Sequence, residues 1–238
     1  MPEPAIPTGF SPRHVAGLVR AAVPPMHPGG RPIVAAVALV SGIVRAVAGH
    51  GTAIGLLATA ATAAFFRNPH RVPPPRTGVV LAAADGTVAS VSDVLPPPEL
   101  ALPAELARRV SVFLSVLDVH TQRIPVDGRV LAVEYTPGVF LSADLDKASE
   151  DNERNSVLLE STGGARIGVV QIAGLLARRI VCDVAPGAEV AAGETYGLIR
   201  FGSRVDVYLP AGSRVEVAVG QRTVGGETVL AALPTTGA

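Results

Sequence analysis

Two apolar runs stand out at the front of this chain. Ile33 to Val44 is interrupted only by Ser41 and Gly42, and Thr52 to Phe66 follows after Arg45, His50 and the glycines Gly49 and Gly51. Each run is shorter than the roughly 20 residues a membrane-spanning helix needs, so the pattern predicts two short helices joined by a glycine-rich bend. Arg31 precedes the pair, and Arg67, Arg71 and Arg76 follow it. Basic residues at both outer ends put those ends on the same side of a bilayer, the cytoplasmic one. Such a hairpin either enters or lies along a membrane, or packs as a buried pair on the main domain or in a dimer. Runs of this length do not choose between these. Upstream, Ser11-Pro12 has the form of an N-cap followed by a first-turn proline. It predicts a short amphipathic helix that Pro24-Pro25 ends. The first twenty residues lack the form of a secretory signal.

From Val72 onward the texture changes. Pro73-Pro74-Pro75 reads as a linker, and short Val-rich runs then alternate with Gly, Pro and Asp turns. Strands are predicted at Val79–Ala83, Thr87–Val91, Arg109–Leu114, Arg129–Tyr135, Ser156–Glu160 and Arg166–Ile172. Others follow at Arg179–Asp183, Thr195–Arg200, Arg204–Leu209, Arg214–Val219 and Thr228–Ala232. A small helical excursion is expected after Pro96-Pro97-Pro98. Many short, evenly spaced strands indicate a mainly β antiparallel barrel or sandwich. There is an internal echo. Ala84-Asp85-Gly86-Thr-Val88 and Val126-Asp127-Gly128-Arg-Val130 share one form, and the turn at Pro186–Glu194 resembles that at Val219–Glu227. These turns look like those of biotinyl and lipoyl barrels. Each Asp-Gly has a plain reading as a tight hairpin turn, which suffices for Asp127 but not for Asp85. The expected organisation is a helical, membrane-associating region at 1–71 and a β-rich catalytic domain at 72–238.

Composition narrows the chemistry. Hydrophobic residues make up 48% of the 238 positions, aromatics only 4%, and the formal net charge is +0 with no long basic run, so a nucleic-acid footprint is not supported. Cys182 is the only cysteine, which rules out an intrachain disulfide. Of 20 Lys+Arg only Lys147 is a lysine, leaving one candidate for amine chemistry; it reads as a solvated loop residue beside Asp144 and Asp146. The histidines at 14, 27, 50, 70 and 120 show no ligand-pair spacing, so no metal site is predicted.

Five motifs then fall in order. Phe65-Phe66-Arg67-Asn68-Pro69, Ala84-Asp85-Gly86, the segment Phe113–Pro125 around His120, Asp151-Asn-Glu-Arg154 and Phe201-Gly202-Ser203 together resemble the phosphatidylserine decarboxylases, in their short, archaeal-type form. The resemblance runs from about Phe65 to Val229. It implies that Ser203 attacks the Gly202 carbonyl and that the chain splits between 202 and 203. The products are a β chain, 1–202, and an α chain, 203–238, that stay together as a heterodimer or a higher oligomer. Ser203 becomes a covalent pyruvoyl group, the one cofactor implied, which forms a Schiff base with phosphatidylserine; loss of CO2 then leads to phosphatidylethanolamine. His120 matches the family histidine of the decarboxylation step, as proton donor or substrate positioner, and Asp85 the aspartate of the self-cleavage triad. The long form of the family carries a second histidine where this chain has Arg123. An arginine is always protonated and is no ready base. Either His120 serves both steps, or Asp85 acts through water, or strain drives cleavage; the reading adopted is that His120 serves both. Arg123 is a candidate contact for the lipid phosphate or carboxylate, or a structural arginine. The implied location is the cytoplasmic side of the cell membrane, peripheral or monotopic.

Two other functions compete. A pyruvoyl decarboxylase of a soluble amino acid would use the same site without needing the apolar front end. A non-catalytic biotinyl- or lipoyl-like carrier would need a lysine in a hairpin turn, and Lys147 lies far from the barrel-like turns.

Overall fold

A computed structural model describes residues 23–103, 105–139, 151–174, 179–200 and 203–234. The expected helix at Ser11-Pro12, Lys147, Phe201 and Gly202 lie outside the described residues.

The two apolar runs form helices α1, Arg31–Ala48, and α2, Thr52–Phe65. Gly49 and Gly51 both take left-handed backbone (φ 71° and 91°), which an L side chain resists and glycine does not; they make the expected bend. One expectation is corrected. The first helix does not stop at Val44 but passes through Arg45 to Ala48, because the Arg45 guanidinium folds back onto the Gly49 carbonyl at the helix end. With the turn at Pro28–Gly30 it forms a 21-residue apolar rod, long enough by length and composition to cross a membrane, and no residue of Arg31–Ala48 is buried. The base of the hairpin is seated firmly. Phe65, Phe66 and Leu198 form a small core of their own. A Cβ on Gly30 would lie 2.2 Å from the Phe66 ring, so only glycine fits there.

The remainder is β. The strands are β1 Val79–Leu81, β2 Gly86–Val94, β3 Ala107–Leu114, β4 Thr121–Arg123, β5 Gly128–Thr136, β6 Arg154–Ser161 and β7 Arg166–Ala173. After these come β8 Ile180–Cys182, β9 Glu189–Val190, β10 Thr195–Ile199, β11 Ser203–Leu209, β12 Arg214–Val215, β13 Arg222–Thr223 and β14 Val229–Ala232. A curled eight-stranded antiparallel sheet runs β13-β2-β3-β11-β7-β6-β5-β9, and two three-stranded sheets, β1-β14-β12 and β4-β10-β8, accompany it. The short helical excursion is present as a turn at Pro98–Leu100. Four strands end earlier than the pattern suggests, β10 by one residue at Ile199. The stretch 82–84 leaves β1 to bond across to the other half of the barrel, and the stretch expected as Arg214–Val219 is a strand only to Val215 before it turns back toward β2. Strand β8 likewise covers only Ile180–Cys182 of the expected Arg179–Asp183.

The internal echo is a structural repeat. Asp85 Oδ1 accepts from Gly225 N, and Asp127 Oδ1 accepts from Ala192 N, both at 2.8 Å. Val88 exchanges main-chain bonds with Gly220 and Gln221, as Val130 does with Gly187 and Ala188. Leu81 N donates to Pro125 O, and Arg123 N donates to Ala83 O; each half reaches into the other by the same bond. Gly86 and Gly128 open their strands so close to a neighbour that a Cβ would lie 2.2 Å from Phe113 O and 2.0 Å from Glu160 O respectively. Two hook-shaped halves thus interlock about an approximate twofold. In one half β6 and β7 are joined by a tight hairpin, with Ser161 N bonded to Ala165 O. In the other, the matching strands β3 and β11 are remote in sequence, and Ser203 stands where Ala165 stands.

Candidate active site

Strand β11 begins with Ser203, the candidate nucleophile. Its residues alternate faces, as a strand requires: Val205, Val207 and Leu209 enter the main core, whereas Tyr208 packs with Leu100, Val170 and Ile172 on the other face. Arg204 and Asp206, both buried, pair at 2.6 Å. By the same alternation Ser203 faces the interior. It pairs with Leu114 of β3 and Ala173 of β7, is completely buried, and its Oγ has no hydrogen-bond partner among the described residues. A buried hydroxyl left unpaired costs about 1–3 kcal/mol. The fold tolerates that at the residue the sequence singles out.

The other candidates gather at the same rim. Thr87 faces Phe113 and Phe113 faces Arg204, so the backbones at Asp85 and Ser203 are about two strand spacings, ~10 Å, apart across β3. His120 leaves the loop that follows β3, and its carbonyl accepts from Ile199 N at 3.2 Å, four residues before Ser203. The imidazole is fully buried. Its Nδ1 lies 3.0 Å from Asp118 O; a carbonyl only accepts, so Nδ1 carries the proton and Nε2 is the basic nitrogen. Burial is the main cause that pushes its pKa from 6.5 down to about 4, and the nearby Arg67 acts in the same direction. The ring is neutral across the physiological range.

Asp85 is occupied differently from a triad aspartate that holds its histidine. Its oxygens take Arg71 at 2.7 Å and Gly225 N at 2.8 Å. Burial raises its pKa, while Gly225 and Arg71 oppose the rise. Arg123 is buried as well, and its guanidinium donates to Gly193 O at 3.1 Å and to Asn68 Oδ1 and Pro69 O at 2.6 Å each. The expected contact with a phosphate or carboxylate therefore meets a guanidinium already engaged by the chain. Those bonds explain the Phe-Phe-Arg-Asn-Pro motif: Asn68 and Pro69 are pinned to the barrel by Arg123, and Arg67 donates to Leu117 O in the loop before His120. The Asn-Glu-Arg motif also acts on the rim. Asn152 Nδ2 donates to Ala173 O at 2.7 Å, and Glu153 O accepts from Ala173 N at 2.9 Å, so both main-chain groups of the residue beside Ser203 are held. Sequence reading missed Phe65 and Gln122 as neighbours of His120, and Gln171 behind Gln122. A glutamine inside the apolar run Gly168–Ala173 was the available signal.

Fold and rim define a mainly β protein of two interlocked halves with a buried hydroxyl at the head of a central strand. Known sequences supply the family. Residues 58–231 match the phosphatidylserine decarboxylase family. The chain is 56% identical over 236 residues to a phosphatidylserine decarboxylase proenzyme of Mycolicibacterium vanbaalenii, covering 98% of each. It is 56% identical over 220 residues to that of Saccharopolyspora erythraea (92% of this chain, 93% of the relative). To the Mycobacterium tuberculosis protein of the same name it is 54% identical over 231 residues, 94% and 97% of the two chains. The chain belongs to the phosphatidylserine decarboxylase family and is a decarboxylase.

Proposed function

We propose that this chain decarboxylates phosphatidylserine to phosphatidylethanolamine and CO2 through a pyruvoyl group that it makes from its own Ser203. The observation that carries the reading is the Ser203 hydroxyl, completely buried at the head of β11 and without a hydrogen-bond partner among the described residues. In the first step Nε2 of neutral His120 takes the Oγ proton as Oγ attacks the Gly202 carbonyl. The peptide C–N bond breaks, an ester forms, and the proton passes to the departing nitrogen. Removal of the Ser203 α-proton then expels the Gly202 carboxylate and leaves a dehydroalanine. Water converts this to the ketone and releases ammonia. The ketone fits the position because Leu114 and Ala173 line it with apolar surface and offer nothing that must hydrogen-bond to a hydroxyl. Once present, a pyruvoyl group supplies an electrophilic carbonyl that accepts the substrate amine and spreads the electron pair left by CO2. Neutral His120 orients the substrate, takes up a proton that the substrate amine gives up, and returns that proton to carbon. Asp85, held by Arg71 and Gly225 N, fixes the start of β2 and supplies negative charge near the loop of His120. Arg123 braces the segment between α2 and the barrel. The exposed helix pair associates with the cytoplasmic face of the membrane, which brings the rim to the lipid headgroups. Residues 1–71 serve that purpose, and 72–238 carry the chemistry.

Intact mass spectrometry together with an activity assay tests the reading. The expected result is two chains, the smaller being residues 203–238 lighter by one ammonia, and CO2 release from detergent-dispersed phosphatidylserine but not from free serine. A single unmodified chain that is fully active overturns it.

A further inference from the structure

Three side-chain amides lie in line beneath His120. Asn155 Nδ2 donates to Gln171 Oε1 at 3.0 Å, Gln171 Nε2 donates to Gln122 Oε1 at 3.0 Å, and Gln122 Nε2 donates to the His120 carbonyl at 2.9 Å. Asn155 is 4% exposed, and Gln171, Gln122 and His120 are 0% exposed. The direction of the chain is fixed by its anchors. Main-chain carbonyls only accept, so Gln122 must turn its nitrogen to His120 O, and Gln171 must turn its nitrogen to Val181 O, which it also reaches at 3.3 Å. Both remaining oxygens then have to accept. Room for the middle amide comes from Gly197: a Cβ there would lie 2.9 Å from Gln171 Nε2 and 2.3 Å from Val181 O.

We propose that Asn155, Gln171 and Gln122 form a positioning relay that sets the His120 main chain against the β10–β11 segment leading to Ser203. The inference rests on the assignment of His120 made above. Strands β6, β7 and β4 each contribute one amide, and the last shares the His120 carbonyl with Ile199 N. Gln171 also pairs with Val205 in β11, two residues from Ser203. One rigid polar rod thus spans the strands that hold the nucleophile and ends on the residue that must address it. Buried amides are costly unless every member is satisfied, and apolar side chains would fill the same space. What the amides add is a fixed direction at His120 O.

The test uses the full chain with Gln171→Leu, Gln122→Leu and Gln171→Glu, alongside His120→Ala. The half-life of self-cleavage, kcat and KM on dispersed phosphatidylserine, and the thermal midpoint are measured. Misplacement of a reacting group by about an ångström costs roughly a hundredfold, so both Leu variants are expected to cleave and turn over about 10- to 100-fold more slowly with KM nearly unchanged. The Gln171→Glu variant keeps the relay only while its carboxyl is protonated, since only then can it both donate and accept. Its cleavage is expected to slow as pH rises, a reversal that loss of packing would not produce. Leu variants at the wild-type rate, or a Gln171→Glu variant whose pH profile follows the wild type, overturn the relay. A His120→Ala protein that still cleaves and turns over normally overturns the assignment of His120 instead.

Discussion

The ring of Phe65, the last residue of α2, lies against the imidazole of His120, with ring centroids 4.2 Å apart and planes inclined at 36°. The apolar hairpin therefore ends on the histidine. Phe65 also meets Phe66 edge-on at 5.1 Å, which ties the contact to the small core at the hairpin base. Replacing Phe65 by Ala removes the wall on one side of His120. The expectation is slower self-cleavage together with a stability loss of about 3–5 kcal/mol, the usual cost of deleting a buried phenylalanine; Phe65→Leu should lose much less of both. Gel-based cleavage rates and thermal denaturation of the two variants check this.

Ser203→Ala separates stability from chemistry. The substitution deletes a hydroxyl that has no partner among the described residues in a fully buried site, so it relieves a desolvation cost instead of creating a cavity. The protein is expected to remain one chain on a denaturing gel, with a thermal midpoint equal to or above that of uncleaved wild type. A large drop in midpoint would show that the hydroxyl is bonded after all.

Self-cleavage should depend on pH through His120. Its pKa in the folded chain, about 4, lies below the ordinary 6.5, so the neutral ring is the folded form's preference. The base is then available at neutral pH and is lost only as pH falls through about 4, and cleavage should be flat above that point. The sign for stability agrees. The contribution of a neutral His120 is fully present above 6.5 and is lost progressively as pH falls toward about 4, because the unfolded chain protonates first. A cleavage rate that halves near 6.5 would contradict this environment.

Arg123 is expected to act on folding before it acts on rate. Its guanidinium serves three acceptors, one buried and two half-buried, so Arg123→Met leaves Gly193 O, Asn68 and Pro69 without it and should cost about 3 kcal/mol. KM for phosphatidylserine in the surviving folded fraction should stay near wild type. A KM raised tenfold at unchanged stability would return Arg123 to the substrate.

Much of this was legible in the chain itself. Alternation in Arg204–Leu209 and the apolar runs of β6 and β7 announce strands because their period is two or their apolar stretch short and β-branched. The repeated Asp-Gly at 85 and 127 was visible, and the structure gives the two aspartates one shared duty: accepting a backbone N–H from a glycine-rich turn. What sets Asp85 apart, its pairing with Arg71, depends on how the hairpin base packs and leaves no local signature. Two-residue strands such as Glu189–Val190 and Arg222–Thr223 are too short to show a period. The relay escaped because Asn155, Gln122 and Gln171 are distant in sequence, and only the sheet register lines them up.

Strand β11 lies between β3 and β7 and is bonded to both along its length. A nick just before Ser203 consequently falls at an open end of the sheet, at the place its twin half closes with a Gly-Gly loop. The short C-terminal fragment would keep its place as the keystone of an arch does, held by neighbours on either side. It follows that the fragments should copurify through any native separation and part only on denaturation. Peptides corresponding to the two pieces, made apart, should not readily reconstitute the enzyme, since the missing strand would have to be threaded into the middle of a finished sheet.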